Sequence, residues 1–130
     1  MTTENKNIEI LGDLPIYPDK NSFDVYLDRG LFKLDTAFNP KVTGGVPADE
    51  FCKDGQDWGT CVYDWEKMKE SDYEYMIKKI NQCKLNYDIL RLDHFIGFVK
   101  HYEYDLTGGP NKWFLEGGED FFNELKKQCD

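Results

Sequence analysis

Histidine is scarce and cysteine unpatterned in this chain, with two His and four Cys among 130 residues. Cys52, Cys61, Cys83 and Cys129 are widely spaced, with no Cys-x-x-Cys pair and no His at zinc-finger distance, so no metal site is expected. Free thiols are expected, although Cys52 and Cys61 flank a glycine-rich stretch and could pair in an oxidising compartment. Basic residues are the minority charge. Sixteen Lys and Arg against 25 Asp and Glu give a net charge of −9, which repels nucleic-acid phosphates and anionic lipid headgroups. No apolar run approaches the ~20 residues of a membrane span, and residues 1–7 lack the apolar core of a secretory signal. The expectation is a cytoplasmic protein with neither nucleic acid nor membrane as partner. Gly-x-Gly-x-x-Gly, a phosphate loop and Gly-x-Ser-x-Gly are all missing, which removes support for nucleotide cofactors and serine-hydrolase chemistry.

What is present is apolar and aromatic material, 40% and 15% of residues, enough to build one core. After a polar lead-in at residues 1–7, Ile8-Glu9-Ile10-Leu11 reads as a buried strand that breaks at Gly12-Asp13, placing Asp13 at its C-terminal end. Residues 21–32 offer a weak helical turn with Phe23, Val25, Tyr26 and Leu31 as its apolar side. Five residues, Gly44, Gly45, Pro47, Gly55 and Gly59, punctuate residues 42–65, which therefore read as one long structured loop without regular elements. A loop of that length in a compact domain is usually functional, and Phe51, Trp58, Tyr63 and Trp65 give it rings with which to bind a ligand or to pin itself down. Ser71-x-x-Glu74 has capping-box spacing, and Tyr73, Met76, Ile77, Ile80, Cys83 and Tyr87 recur as one helical apolar face. The segment Asp88-Ile89-Leu90-Arg91-Leu92-Asp93 follows as a short strand, and the strand, helix, strand order is that of a parallel α/β fold. Residues 99–104 alternate loosely, and a last helix over residues 119–128 buries Phe121, Phe122 and Leu125.

Asp13 and Asp93 thus stand at two strand ends, where parallel barrels collect functional side chains. An acid in that position equally caps a following turn. Arg91 lies two residues before Asp93 on the same side of an extended strand, so its guanidinium can hold that carboxylate charged and oriented. A charged, oriented carboxylate is what a glycosidic nucleophile must be; the same two residues could also be a purely structural ion pair.

Six motifs occur in register: Gly12-Asp13-Leu14-Pro15-Ile16-Tyr17, Ser22-x-Asp24-Val25, Gly45-Val46-Pro47-x-Asp49-x-Phe51, Gly55-Gln56-x-Trp58-Gly59, Tyr63-Asp64-Trp65 and Arg91-x-Asp93-His94-Phe95-x-Gly97-Phe98. In this order they resemble amylomaltase-type 4-α-glucanotransferases, and the likeness extends through Gly117-Gly118-Glu119-Asp120-Phe121-Phe122. The resemblance implies part of a (β/α)₈ TIM barrel of the α-amylase superfamily, with residues 8–130 as an incomplete piece of the catalytic domain and residues 42–65 as its substrate loop. It implies transfer of α-1,4-glucan segments to glucose or maltooligosaccharide acceptors without a cofactor. Asp93 would be the nucleophile, Arg91 its orienting partner, His94 a hydrogen-bond donor to the sugar and Asp13 a contributor to the sugar site. Asp49, Phe51, Gln56 and Trp58 would close over the glucan and keep water from the intermediate. Glu50, Thr60-Cys61 and Ile96 depart from the family's aromatic, Asn-Pro and Arg, changes that bear on acceptor binding and loop rigidity. No residue matches the family's general acid/base glutamate, so the chain is expected to supply the nucleophile half only and to be inactive alone. It would read as a truncated frame, with an open barrel edge through which copies could self-associate. The alternative is a glucan-binding fragment without catalysis.

Overall fold

The computed structural model describes residues 8–115 and 118–128; the lead-in expected at residues 1–7, Gly117 and Cys129 lie outside them. In chain order the elements are β1 (Leu11–Leu14), α1 (Phe23–Leu27), β2 (Val42–Val46), β3 (Gln56–Cys61), α2 (Trp65–Glu70), α3 (Glu74–Lys84), β4 (Ile89–Leu92), β5 (Lys100–Asp105), β6 (Lys112–Leu115) and α4 (Gly118–Gln128). Short 3-10 turns occupy Arg29–Leu31 and Phe95–Phe98. The fold is mixed α/β with two small sheets. One is the parallel pair β1 and β4, and the other is antiparallel in the order β3-β2-β5-β6.

The first strand differs from expectation. It runs through Gly12 and Asp13 instead of breaking there, so Asp13 lies inside β1 and not past its end. Its parallel register sets Asp13 opposite Arg91, an opposite-charge cross-strand pair. Gly12 belongs in the strand because the Tyr87 ring lies against it; a Cβ at Gly12 would stand 2.3 Å from the ring. Tyr87 is therefore not on the α3 apolar face, since that helix ends at Lys84, before it. Tyr73, Met76, Ile77 and Ile80 are buried as the helical period predicts.

Residues 42–65 are the larger correction, because half of them are regular: β2, β3 and the first residue of α2. Glycine here marks close approach, not breakage. A Cβ at Gly44 would meet the Tyr17 ring at 2.8 Å, and one at Gly45 would meet the Gln56 carbonyl at 2.0 Å, beside a register shift that bends the hairpin. Ser71 forms no capping box. The α2 helix, capped by the Asp64 carboxylate on the Lys67 amide, ends there, and the Ser71 hydroxyl donates to the Met68 carbonyl. The following helix is instead entered through left-handed Tyr73 at φ 57°, with no side-chain cap.

On the short α1 helix only Val25 is buried, while Phe23 and Tyr26 face solvent. The last helix forms as expected. Phe121 is fully buried and stacks on Phe98 with ring centroids 4.9 Å apart and planes 6° apart. That stack ties α4 to the turn that follows β4. Cys52, Cys61 and Cys83 are free thiols. No helix among the described residues is long and apolar enough to cross a membrane.

Candidate active site

The parallel ladder ends where the chemistry begins. The Asp93 amide donates to the Leu14 carbonyl at 3.0 Å, adding one rung past β4 and holding the chain after each strand side by side. Arg91, one pair before the end of that ladder, divides its guanidinium between two carboxylates: Nη1 donates to Asp13 Oδ2 at 2.7 Å and Nη2 to Asp93 Oδ1. All three side chains are about half exposed, as a surface-facing site requires. The planar fork orients both acceptors at once, which a single ammonium could not do. Asp13 thus acts from within its strand through the cross-strand pairing.

Beyond Asp93 the backbone turns sharply. His94 adopts φ 46° and ψ 48°, a left-handed geometry uncommon for a residue with a side chain, and leads into the turn Phe95–Phe98. A cleft of about 360 Å³ opens beside it, lined by Pro15, Ile16, Tyr17, Trp58, Thr60, Asp93 and His94. Three chain segments meet there: the stretch after β1, the β3 strand of the hairpin, and Asp93-His94. A wider depression of about 830 Å³ lies between Tyr26 to Leu31 and Lys67 to Ser71, away from the guanidinium fork. The smaller cleft is the better candidate because it combines a strand-end carboxylate, a histidine and two aromatic rings. Sugars present apolar ring faces and hydroxyl edges, and such walls match both.

Burial lowers the His94 pKa; the Asp93 charge acts in the opposite direction and His101 in the same one. The imidazole is therefore held toward its neutral form, with one N–H to donate. Trp58 packs edge-on to it with centroids 4.8 Å apart, and the indole N–H donates to Gln56 Oε1 at 3.2 Å. Gln56 thus reaches the cleft through Trp58. Asp49 and Phe51 do not line it. Asp49 Oδ1 accepts from the Phe51 and Cys52 amides at 2.8 and 2.7 Å, closing the tip of the hairpin, and Phe51 is 91% exposed.

Tyr17 is the aromatic lining residue that sequence reasoning did not select. It lies two residues after Pro15 in the first quoted motif, where the chain bends on leaving β1. The Tyr17 ring crosses Gly44 and stands at 68° to His101, 6.3 Å between centroids. His101 is itself buried in the antiparallel sheet, with Nε2 2.6 Å from Glu103 Oε1, and Lys33 Nζ donates to the same oxygen at 2.5 Å. Among the described residues no group of three or more His, Cys, Asp or Glu could hold a metal ion.

Known proteins resemble this chain over most of its length. The 4-alpha-glucanotransferase of Aquifex aeolicus is 38% identical over 123 residues, covering 92% of this chain and 25% of that protein. The enzyme of the same name from Streptococcus pneumoniae is 36% identical over 127 residues, covering 95% of this chain and 25% of that protein. Among solved structures, an amylomaltase from Streptococcus agalactiae in complex with acarbose superposes with a TM-score of 0.89 at 38% identity, over 94% of this chain and 25% of that one. The chain spans about a quarter of the length of the curated relatives it matches. A sequence profile described as 4-alpha-glucanotransferase matches residues 1–130 in full, and with these relatives it shows that the chain belongs to the 4-alpha-glucanotransferase family.

Proposed function

We propose that this chain supplies the nucleophile portion of a 4-α-glucanotransferase that moves α-1,4-glucan segments onto glucose or maltooligosaccharides by retaining double displacement. The observation that carries the reading is the guanidinium fork of Arg91, which aims Asp93 at the mouth of an aromatic-walled cleft. Asp93 Oδ attacks the anomeric carbon and the glycosidic C–O bond breaks, leaving a β-glycosyl ester on the enzyme. An acceptor hydroxyl then displaces that ester, giving its proton to the carboxylate that had protonated the leaving oxygen, and restores the configuration. His94 donates its N–H to a hydroxyl of the bound sugar, and Tyr17 and Trp58 supply apolar walls. Asp13 holds the second arm of Arg91, while Asp49, Phe51 and Gln56 on the hairpin flank the glucan beyond the cleft. The acarbose-bound relative supports an α-glucan as the ligand.

Retaining chemistry needs a second carboxyl ~5–5.5 Å from the first, protonated to release the leaving oxygen. Asp13 is not that acid, since its carboxylate is already engaged as an acceptor by Arg91. The proton donor belongs to the remaining strands of a (β/α)₈ barrel, in which β1 and β4 are parallel members and the antiparallel sheet is a substrate-side excursion. We place the complete protein in the cytoplasm, with no cofactor.

A glycosyl fluoride tests the reading, because fluoride leaves with its electron pair and needs no proton. The chain incubated with α-maltotriosyl fluoride gains one maltotriosyl group on Asp93, read by intact and peptide mass spectrometry, while disproportionation of maltotriose stays at background. Asp93→Asn abolishes the adduct. Binding of maltoheptaose with no adduct would favour a glucan-binding fragment without catalysis, and an adduct that survives Asp93→Asn would remove Asp93 as nucleophile.

A further inference from the structure

The backbone of His94 is in a region that residues with side chains rarely occupy, and such strain persists only where the surroundings over-determine it. Two neighbours do so here. From the hairpin, Trp58 presents its ring at 86° to the imidazole, and its own orientation is fixed by the N–H bond to Gln56. From the turn, Gly97 closes the other side: a Cβ there would stand 3.0 Å from His94 Cδ2 and 2.4 Å from Ile16 Cδ1. Gly97 is not among the residues with positive φ, so conformation does not demand glycine at this position. Space does. The Gly97 amide also donates to the His94 carbonyl at 2.8 Å, which ties the crowded atom to the strained residue.

We propose that Trp58 and Gly97 are positioning residues for His94, clamping its imidazole between the β2–β3 hairpin and the 3-10 turn so that hairpin and Asp93 loop behave as one rigid unit. The clamp assigns Trp58 a role apart from contact with sugar, and it couples the placement of the hairpin to the orientation of the imidazole. Its bearing on transfer rests on the glucan reading of the cleft, whereas the clamp itself rests on geometry alone. The charged and titratable groups that face His94 are Asp93 beside it and His101 from β5, whose influences oppose one another.

The test is the titration of His94 by NMR in the full chain labelled at histidine, where only two imidazoles need assignment. In Trp58→Ala the shielding ring is gone, so the His94 midpoint moves up toward the ordinary histidine value while His101, buried in the sheet, is unmoved. Trp58→Phe restores most of the original midpoint, a rescue that loss of folding would not show. Gly97→Ala shifts the His94 ring resonances with Trp58 still in place. Should that variant fail to fold, Gln56→Leu, which frees the exposed indole N–H, gives a smaller upward shift of the same sign. An unchanged His94 midpoint in Trp58→Ala with unchanged ring resonances would overturn the clamp. Failure of the sugar-transfer reading would appear separately, as absence of the Asp93 adduct with this titration behaving as described.

Discussion

Replacing Arg91 by Lys separates an orienting role from a structural one. The guanidinium spans two carboxylates through different nitrogens, Asp13 at 2.7 Å and Asp93 through the other arm, and a single ammonium can serve only one of them well. The three side chains are 54%, 52% and 46% exposed, so solvent screens the lost pair and its worth to folding is at most about 1 kcal/mol. With a denaturant slope of about 2 kcal/mol/M, that is a fall of no more than about 0.5 M in the urea midpoint. The effect on reaction is larger. A nucleophile displaced by about 1 Å costs on the order of 10²-fold in rate, equivalent to about 2.7 kcal/mol of barrier. Arg91→Lys should therefore label with α-maltotriosyl fluoride about a hundredfold more slowly than the parent while unfolding in nearly the same urea. Labelling at the parent rate would show that Arg91 does not orient Asp93. A midpoint lowered by more than about 1.5 M would show that the pair is chiefly structural.

Two further outcomes follow from charge and from exposed surface. Stability should decline in two steps on acidification. Burial holds the His94 pKa down, so the unfolded chain takes up that proton first as pH falls through about 6.5. Burial opposes the charge of Glu103, yet the bonds from His101 and Lys33 and the Lys33 charge outweigh it and hold the carboxyl below its usual range. Its contribution is complete above the unfolded value of about 4 and is lost as pH falls through the depressed folded one. Urea midpoints from about pH 7 to about pH 3.5 should show both steps, His94→Gln removing the upper and Glu103→Gln the lower; a midpoint independent of pH would contradict both assignments. The isolated chain should also self-associate, because Leu11 at 59% and Ile89 at 47% exposure lie on the strand pair and no further strand covers its edges among the described residues. Light scattering at increasing concentration should show growing mass, reduced in a Leu11→Lys, Ile89→Lys double variant. A monodisperse monomer at high concentration would refute it.

The sequence was legible wherever one physical rule acted alone. The helical stripe of Met76, Ile77 and Ile80, the strand before Asp93 and the amphipathic helix around Phe121 each follow from periodicity, and each is in place. The Arg91 and Asp93 pairing was readable from strand geometry, since residues two apart share a side. Misreadings occurred where glycine has two meanings. Glycine breaks a chain when it needs an unusual φ, as Gly55 does at 71° just before β3. It also permits a strand where a neighbouring ring or carbonyl leaves no room for a Cβ, as at Gly12, Gly44 and Gly45. Nothing local distinguishes the two, because the ring that occupies the space at Gly44 comes from Tyr17, far away in sequence. The same blindness hid Tyr17 itself, whose place in the cleft depends on that crossing.

This dependence explains what the antiparallel sheet adds to the parallel pair. The parallel pair alone can aim Asp93 but offers it no wall. Hairpin β2–β3 brings Trp58 and Thr60 across the cleft, and it can approach so closely only because Gly44 and Gly45 let Tyr17 and Tyr104 lie flat on the strand. Strand β5 supports the hairpin from the other side and carries His101 and Glu103 beneath Tyr17. A side chain introduced at Gly45 would collide with the Gln56 backbone and part the hairpin, moving Trp58 away from His94 without touching any residue of the cleft. Cleft geometry in this chain is thus set by the absence of side chains at positions that do not line the cleft.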